Sequence, residues 1–370
     1  MPVDPKTTVR WSLLAAGLLA FFMLGAGQSV MGPALPVFQQ RFAIGGAAAG
    51  WLISSLAMGS FAGLVVLYFY GRFATPALAL LVMTVGALAI ALSPNFAATI
   101  AACILFGFGY GCVAAQFNAR IFAVFGQRGP SMLSLLNAGY SVGAIFAPLL
   151  FVALGSRPNL MFVIIAGLTG LATLVMMRPQ PAVTPATEIG LPKGFRFSFP
   201  ILIFGLIAVG VEVSLTGLGP SAMIRAGVAD AHAAELLSAF FVAFLIGRLG
   251  LTLLADRVPS FAVLIAAALL TAACSFACIW FDPTWFFPPM GAAAGLLFPG
   301  YFVTAAARMG DDSRVSPVIL ATTQIGAVTF PLLIAQLAPM MGERGFFWLI
   351  ALTTTALGLV GLVSFRRLQP

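Results

Sequence analysis

The sequence predicts an all-α membrane protein with twelve transmembrane helices in two parallel-repeated six-helix halves. Three observations lead there. Of 370 residues, 61% are hydrophobic and 8% charged, and the mean hydropathy is +1.08, whereas a soluble domain carries about 25% charged residues. Apolar segments near the roughly 20 residues that a spanning helix needs recur twelve times, separated by turn residues. Landmarks of the first half also return in the second at a nearly constant spacing. A soluble enzyme is excluded, because 18 Lys and Arg with 10 Asp and Glu cannot clothe a water-facing surface.

The expected helices cover 11–35, 46–70, 75–93, 97–123, 131–154 and 160–177 in the first half. In the second they cover 199–219, 234–254, 261–281, 285–307, 316–339 and 346–365. The first follows Lys6 and Arg10 and reads at first as a signal peptide. Its apolar run exceeds the 7–15 residues of a signal core, so it is expected to be a retained helix.

Orientation comes from the basic residues, which gather on the cytoplasmic side. With the N-terminus inside, thirteen of them fall on one side, among them Arg72, Arg120, Arg178, Arg308 and Arg366. Only Arg41, Arg157, Arg225 and Arg344 fall on the other, and Arg248 stays within a helix. Both termini are therefore expected in the cytoplasm. The same bias accounts for the net charge of +8 and the pI near 9.9 without any nucleic acid. The expected setting is a plasma membrane, bacterial and inner, with a monomeric chain in the lipid bilayer.

The longest connection, with Pro179, Pro181, Pro185 and Pro192, has the composition of a flexible linker. It divides the chain into an N-terminal half 1–178, a cytoplasmic linker 179–198 and a C-terminal half 199–370. Gly143-Ala144 with Pro148-Leu149-Leu150 in helix 5 returns as Gly326-Ala327 with Pro331-Leu332-Leu333 in helix 11. Gly32-Pro33 returns as Gly219-Pro220, Arg72 as Arg257 and Arg120 as Arg308, all close to the 185 positions of half a chain. Parallel-repeated halves of six helices are the plan of one large class of transporters.

At this point the chain resembles the major facilitator superfamily along nearly its whole length. Several stretches are similar to the fucose–galactose–glucose:proton symporter group: Val209-Gly210-Val211-Glu212-Val213-Ser214 on helix 7, Gly107-Phe108-Gly109-Tyr110-Gly111 with Asn118 on helix 4, Phe298-Pro299 and Gly247-Arg248. The resemblance implies a secondary active transporter of a small polar organic solute, sugar-like, working by alternating access with helices 1, 4, 7 and 10 lining a central cavity. The chain also departs from that group. Gln28 and Ala114 stand where the group has acids on helices 1 and 4, and the helix 2–3 signature is reduced to Gly71-Arg72. The corresponding loop of the second half keeps Asp256-Arg257.

A charged side chain within the bilayer costs about 2.5–3.5 kcal/mol on insertion scales and marks function. Glu212 is the one acid of ten inside a helix, about 20 Å from its start at 1.5 Å per residue. It is the candidate for proton coupling and for binding hydroxyls, with Gln28 at the equivalent depth of helix 1. Arg248 lies about 10 Å from the level of Glu212 by the same count. It is therefore expected to snorkel or to hold a gate with Arg72, Asp256 and Arg257 rather than to pair with the acid. Tyr110, Gln116, Asn118, Asn137, Tyr140, Tyr301, Thr323 and Gln324 are expected to line the substrate path with Gln28 and Glu212. The same residue types also serve as glue between helices.

The lone His232, placed in the helix 7–8 loop, and the four cysteines, all in apolar runs, offer no metal site and no catalytic constellation. No phosphate-binding motif follows the glycine-rich runs. No cofactor is expected, and the partners are a small-molecule substrate, protons and lipid. Two other readings stay open: an efflux pump for amphipathic compounds, to which 34 Phe and 14 Met lend adaptable surface, and a non-transporting sensor or assembly factor.

Overall fold

The computed structural model describes residues 5–70, 75–177, 195–254, 257–310 and 315–368. Those residues form twelve α-helices: α1 (Pro5–Phe42), α2 (Gly46–Tyr70), α3 (Pro76–Leu92), α4 (Phe96–Phe125), α5 (Gly129–Ala153) and α6 (Pro158–Met176). They are followed by α7 (Phe199–Arg225), α8 (Asp230–Leu254), α9 (Ser260–Trp280), α10 (Pro283–Met309), α11 (Ser316–Leu337) and α12 (Gly345–Leu368). Eleven are long and apolar enough to cross a membrane, and α3, with 17 residues, is the shorter one. Its length is set by Thr75, whose hydroxyl accepts from the Leu78 amide as an N-cap, and by Ser93 at the other end.

Contacts divide the chain into two units. The first holds α1 up to Val30, α2 from Ser55, and α3 to α6; the second holds Met31–Ser54 and α7 to α12. Helices α1 and α2 thus contribute to both. The far end of α1 carries Pro33 and Pro36 within a continuous helix, so α1 runs beyond its expected end at 35. Membrane helices tolerate proline where neighbouring groups satisfy the freed carbonyls.

In each unit the helices approach through glycine, as membrane helices do in the absence of a hydrophobic drive between them. A methyl group added to Gly107 would stand 2.1 Å from the Leu56 carbonyl oxygen on α2. On Gly111 it would stand 2.5 Å from that of Ser60, and on Gly63 2.5 Å from that of Phe108. The second unit repeats this seam between α8 and α10: Gly291 meets Phe240 at 2.0 Å, Gly295 meets Phe244 at 2.7 Å, and Gly247 meets Ala292 at 2.4 Å. Each of the six positions lies 184 residues after its counterpart. The pairs α1–α5 and α7–α11 match almost as closely, with Gly143 on the Phe22 carbonyl at 2.0 Å and Gly326 on that of Leu206 at 1.9 Å, the carbonyls 184 residues apart and the glycines 183. The repeat inferred from scattered motifs is a repeat of backbone contacts.

Large apolar side chains such as Leu92, Leu174 and Val363 stay exposed, where hydrocarbon rather than water would meet them. Near the α9–α10 turn, Trp280 and Trp285 are exposed and Trp280 lies edge-on to Trp348 at 6.2 Å. Arg344 closes this end by donating to the carbonyls of Cys278, Ile279 and Phe281. Aromatic residues and an arginine at one level are what a membrane–water interface selects. All four cysteines are free thiols, three of them buried. His232 is in the first turn of α8 rather than a loop, 3.1 Å from Glu235.

Candidate functional site

The matched contacts fix which residues share a rung in the two repeats. Gln28 comes six positions after Phe22 and Glu212 six after Leu206, so the amide of α1 and the acid of α7 occupy the same place. Around that place the two units have built different polar clusters.

In the first unit the cluster is neutral. The hydroxyls of Tyr110 on α4 and Tyr140 on α5 each donate to Gln28 Oε1, both at 2.8 Å. All three side chains are half-buried. Close approach of α5 makes this possible, since at Gly25 a methyl group would stand 1.9 Å from the Tyr140 carbonyl. One carbonyl oxygen with two lone pairs is thereby filled. The Gln28 amide N–H groups take no part in these two bonds.

In the second unit the cluster is charged. Arg248 Nη2 on α8 lies 3.9 Å from Glu212 Oε1. Arg248 has two further supports: its Nε donates to the Gly295 carbonyl at 3.2 Å, and its guanidinium lies 4.3 Å from the centre of the Phe244 ring. The Gly247–Ala292 approach brings α8 close enough to α10 for that bond. Glu212 Oε2 is buried without a hydrogen-bond partner, and the side chain as a whole is 16% exposed. The expectation that Arg248 would miss Glu212 is therefore corrected. Counting residues compares backbone heights, whereas the arginine stem carries its head well away from its own backbone level.

The other candidates divide. Tyr301 is fully buried; its hydroxyl donates to the Ile319 carbonyl at 3.3 Å, and its ring fills the space beside Gly205. It joins α7, α10 and α11. Thr323, at the rung of Tyr140, is buried and donates to Leu320 O at 2.7 Å, too short a side chain to reach Glu212 as Tyr140 reaches Gln28. Gln324 beside it is half-buried. Asn137 is exposed and donates to Leu133 O one turn back. On α4, at 100° per residue, Gln116 is turned about 120° from Tyr110, so it does not join the cluster. Both of its amide atoms, and Asn118 Oδ1, are buried without partners. Arg257 is exposed in the turn before α9, while Arg72 and Asp256 lie outside the described residues. Sequence reasoning did not pick out Phe244 or Gly295 as supports of Arg248. The glycine's 184-residue relation to Gly111 was the available signal.

Twelve apolar helices in two repeated sets of six, with polar clusters on one rung of each, define a polytopic membrane carrier rather than an enzyme. Comparison with known proteins agrees: the model of the Major Facilitator Superfamily matches residues 17–323, and the chain belongs to that family of membrane transporters. No curated protein matches it significantly. Among solved structures, a variant of the nucleoside transporter NupG is similar with TM-score 0.79 at 14% identity, covering 96% of this chain and 100% of its own. The D-xylose-proton symporter has TM-score 0.77 at 12% identity, with 97% and 98% covered. The fucose:proton symporter FucP of E. coli has TM-score 0.64 at 18% identity, with 95% and 98% covered. At these identities the likeness is one of fold, and it extends beyond the symporter group named above.

Proposed function

We propose that the protein is a secondary transporter of a small, neutral, hydroxyl-rich solute, sugar- or nucleoside-like, in which Glu212 carries the coupling proton. The observation that supports this most is the pair of clusters on equivalent rungs. Gln28 with its two tyrosines forms a polar cluster that carries amide N–H donors and no charge, which suits a solute recognised through hydroxyl groups. The charged groups Glu212 and Arg248 offset one another, so a solute of net charge has no surplus partner there. The similar structures, a nucleoside transporter and proton symporters for xylose and fucose, favour the same solute class.

A proton carrier must accept a proton without losing its place. Arg248 is held by Gly295 and Phe244 independently of Glu212, so a neutral Glu212 leaves the arginine in position. The acid then takes a proton from solution on one side of the membrane and releases it to solution on the other, where the attraction of Arg248 for the carboxylate favours the deprotonated form. Alternating access supplies the change of side. The setting is a bacterial inner membrane with both termini in the cytoplasm, and Arg248 and Arg257 help to hold the closed states.

Proteoliposomes test this reading. Wild-type protein should accumulate a radiolabelled sugar or nucleoside under an inward proton gradient. Glu212→Gln, which keeps the shape of the protonated acid, should retain counterflow exchange and lose gradient-driven accumulation. Accumulation unchanged in Glu212→Gln refutes the coupling role. Solute movement absent from wild type across the hydroxylated panel favours the efflux reading, to be followed with amphipathic dyes.

A further inference from the structure

A small pocket with an otherwise apolar lining encloses three polar side chains in the second unit, at the end that carries the α1–α2 turn and that the arginine distribution assigns to the outside. Its lining includes Leu35 and Gln39 of α1, Gly46 of α2, Ser221 and Arg225 of α7, and Phe346 of α12. The free space at its centre is about 10 Å3, close to what one water-sized body occupies. That is too small for an organic solute, and the pocket shares no residue with the Gln28 or Glu212 clusters.

Its donors are unused. Ser221 is only 5% exposed, and its hydroxyl has no hydrogen-bond partner. One turn further on, Arg225 brings five N–H donors and pairs with no carboxylate among the described residues. The ordinary use of such an arginine, capping the end of its own helix, is already taken. The carbonyls of Ala222, Ile224 and Met223 accept from the backbone amides of Ala226, Gly227 and Val228. Gln39 adds an amide whose Nε2 points toward Gly46. No acidic residue belongs to the lining.

We propose that this pocket binds a small inorganic anion of the size of chloride, held by the Arg225 guanidinium, the Ser221 hydroxyl and the Gln39 amide. A buried donor left unmade costs free energy, and the Arg225 guanidinium beside it favours a negative partner. Water can answer the hydroxyl and hydrate the exposed face of the guanidinium, whereas a monatomic anion answers the hydroxyl and neutralises the charge as well. Because Gln39 belongs to α1 and the other two ligands to α7, the anion ties these helices together and stabilises the folded protein by mass action. The outer solution supplies it, since Arg225 is exposed at the mouth.

Thermal unfolding of the purified full-length protein in detergent tests the site, with sodium chloride and sodium gluconate exchanged at constant ionic strength. Chloride and bromide should raise the midpoint saturably and gluconate should not. Arg225→Gln and Ser221→Ala should each raise the half-saturating chloride concentration at least tenfold. Equal midpoints in chloride and gluconate overturn the proposal, as does an unchanged half-saturation in both variants. Should either variant fold poorly, bromide-soaked crystals of the unaltered protein decide. An anomalous peak within hydrogen-bond reach of Ser221 Oγ supports the site, and bromide bound elsewhere but not there refutes it.

Discussion

Four glycine-to-alanine changes test whether backbone contact between helices carries the repeated fold. A methyl group on Gly326 would stand 1.9 Å from the Leu206 carbonyl oxygen, and on Gly143 2.0 Å from that of Phe22. Carbon–oxygen contacts relax at about 3.3 Å or more, so each contact has to open by roughly 1.3–1.4 Å. Overpacking of that kind costs about 1–3 kcal/mol. Against it stands the gain from replacing glycine by alanine in a helix, about 0.8–1 kcal/mol. Gly167 in α6 and Gly250 in α8 have nothing within 4 Å of an added methyl group, so there only the gain remains. Gly143→Ala and Gly326→Ala should therefore lower stability by similar amounts, while Gly167→Ala and Gly250→Ala leave it equal or raise it. The assay is thermal unfolding followed by a thiol-reactive dye, because Cys103, Cys112 and Cys278 are buried and react only once exposed. Gly143→Ala or Gly326→Ala as stable as Gly167→Ala would refute the argument.

Three further outcomes are expected. Tyr110→Phe and Tyr140→Phe should each cost about 0.5–1.5 kcal/mol of stability, as for a neutral hydrogen bond. Gln28→Ala should cost more than either, because it leaves two hydroxyls without their acceptor; a thermal-unfolding series with Gln28→Ala no worse than Tyr140→Phe contradicts the shared acceptor. Asp282 caps α10 through the Thr284 amide at 2.9 Å, and the hydrogen bonds from Thr284 hold its carboxyl below the usual range. Asp282→Ala should cost about 1 kcal/mol. Because its value is depressed in the folded state, the contribution is complete above the unfolded value of about 3.9. It is lost as pH falls through the folded value, so unfolding midpoints of wild type and variant should converge only in acid. Single cysteines placed beside Arg41 or Arg157 should label with an impermeant thiol reagent on intact cells and those at 178–193 should not; the reverse pattern overturns the orientation.

The helices were legible because apolar length alone decides whether a segment can span a bilayer. Their ends were less so. Pro33 and Pro36 look like the end of α1 in a soluble context, yet the helix runs to Phe42. The repeat was visible through proline and arginine landmarks with spacings that scatter by a few residues. The 184-residue contact register required knowing which carbonyl each glycine meets. For the site, an isolated charge in an apolar run pointed to Glu212, and repeat symmetry pointed to Gln28. Helix assignment by itself did not say which way a side chain points. Tyr301 and Tyr110 look alike in sequence, but Tyr301 corresponds to the equally buried Phe117 and packs against Gly205, whereas Tyr110 corresponds to Ala294 and reaches Gln28. On a helical wheel Gln116 already stands about 120° from Tyr110, so the two could not have been expected to share one cluster.

The Glu212–Arg248 pair yields a prediction whose sign depends on unequal anchoring. Arg248 keeps a carbonyl partner and a ring when the acid is neutralised. Glu212 has one charged neighbour at 3.9 Å, and its other oxygen is buried with no partner. Removing one member of a buried pair costs about 3–5 kcal/mol when the survivor is left uncompensated. That condition holds for Glu212 after Arg248→Met but not for Arg248 after Glu212→Gln. Arg248→Met should therefore destabilise the protein more than Glu212→Gln, most clearly at alkaline pH, where the stranded acid cannot relieve the cost by taking a proton. Adding Glu212→Gln to Arg248→Met should restore much of the loss, because the stranded carboxylate is gone. The thiol-dye unfolding midpoints of the four proteins measure this cycle. Equal costs for the two single changes, or a double variant as unstable as Arg248→Met, would mean that the carboxylate does not depend on the arginine and that their contact contributes nothing to holding the site.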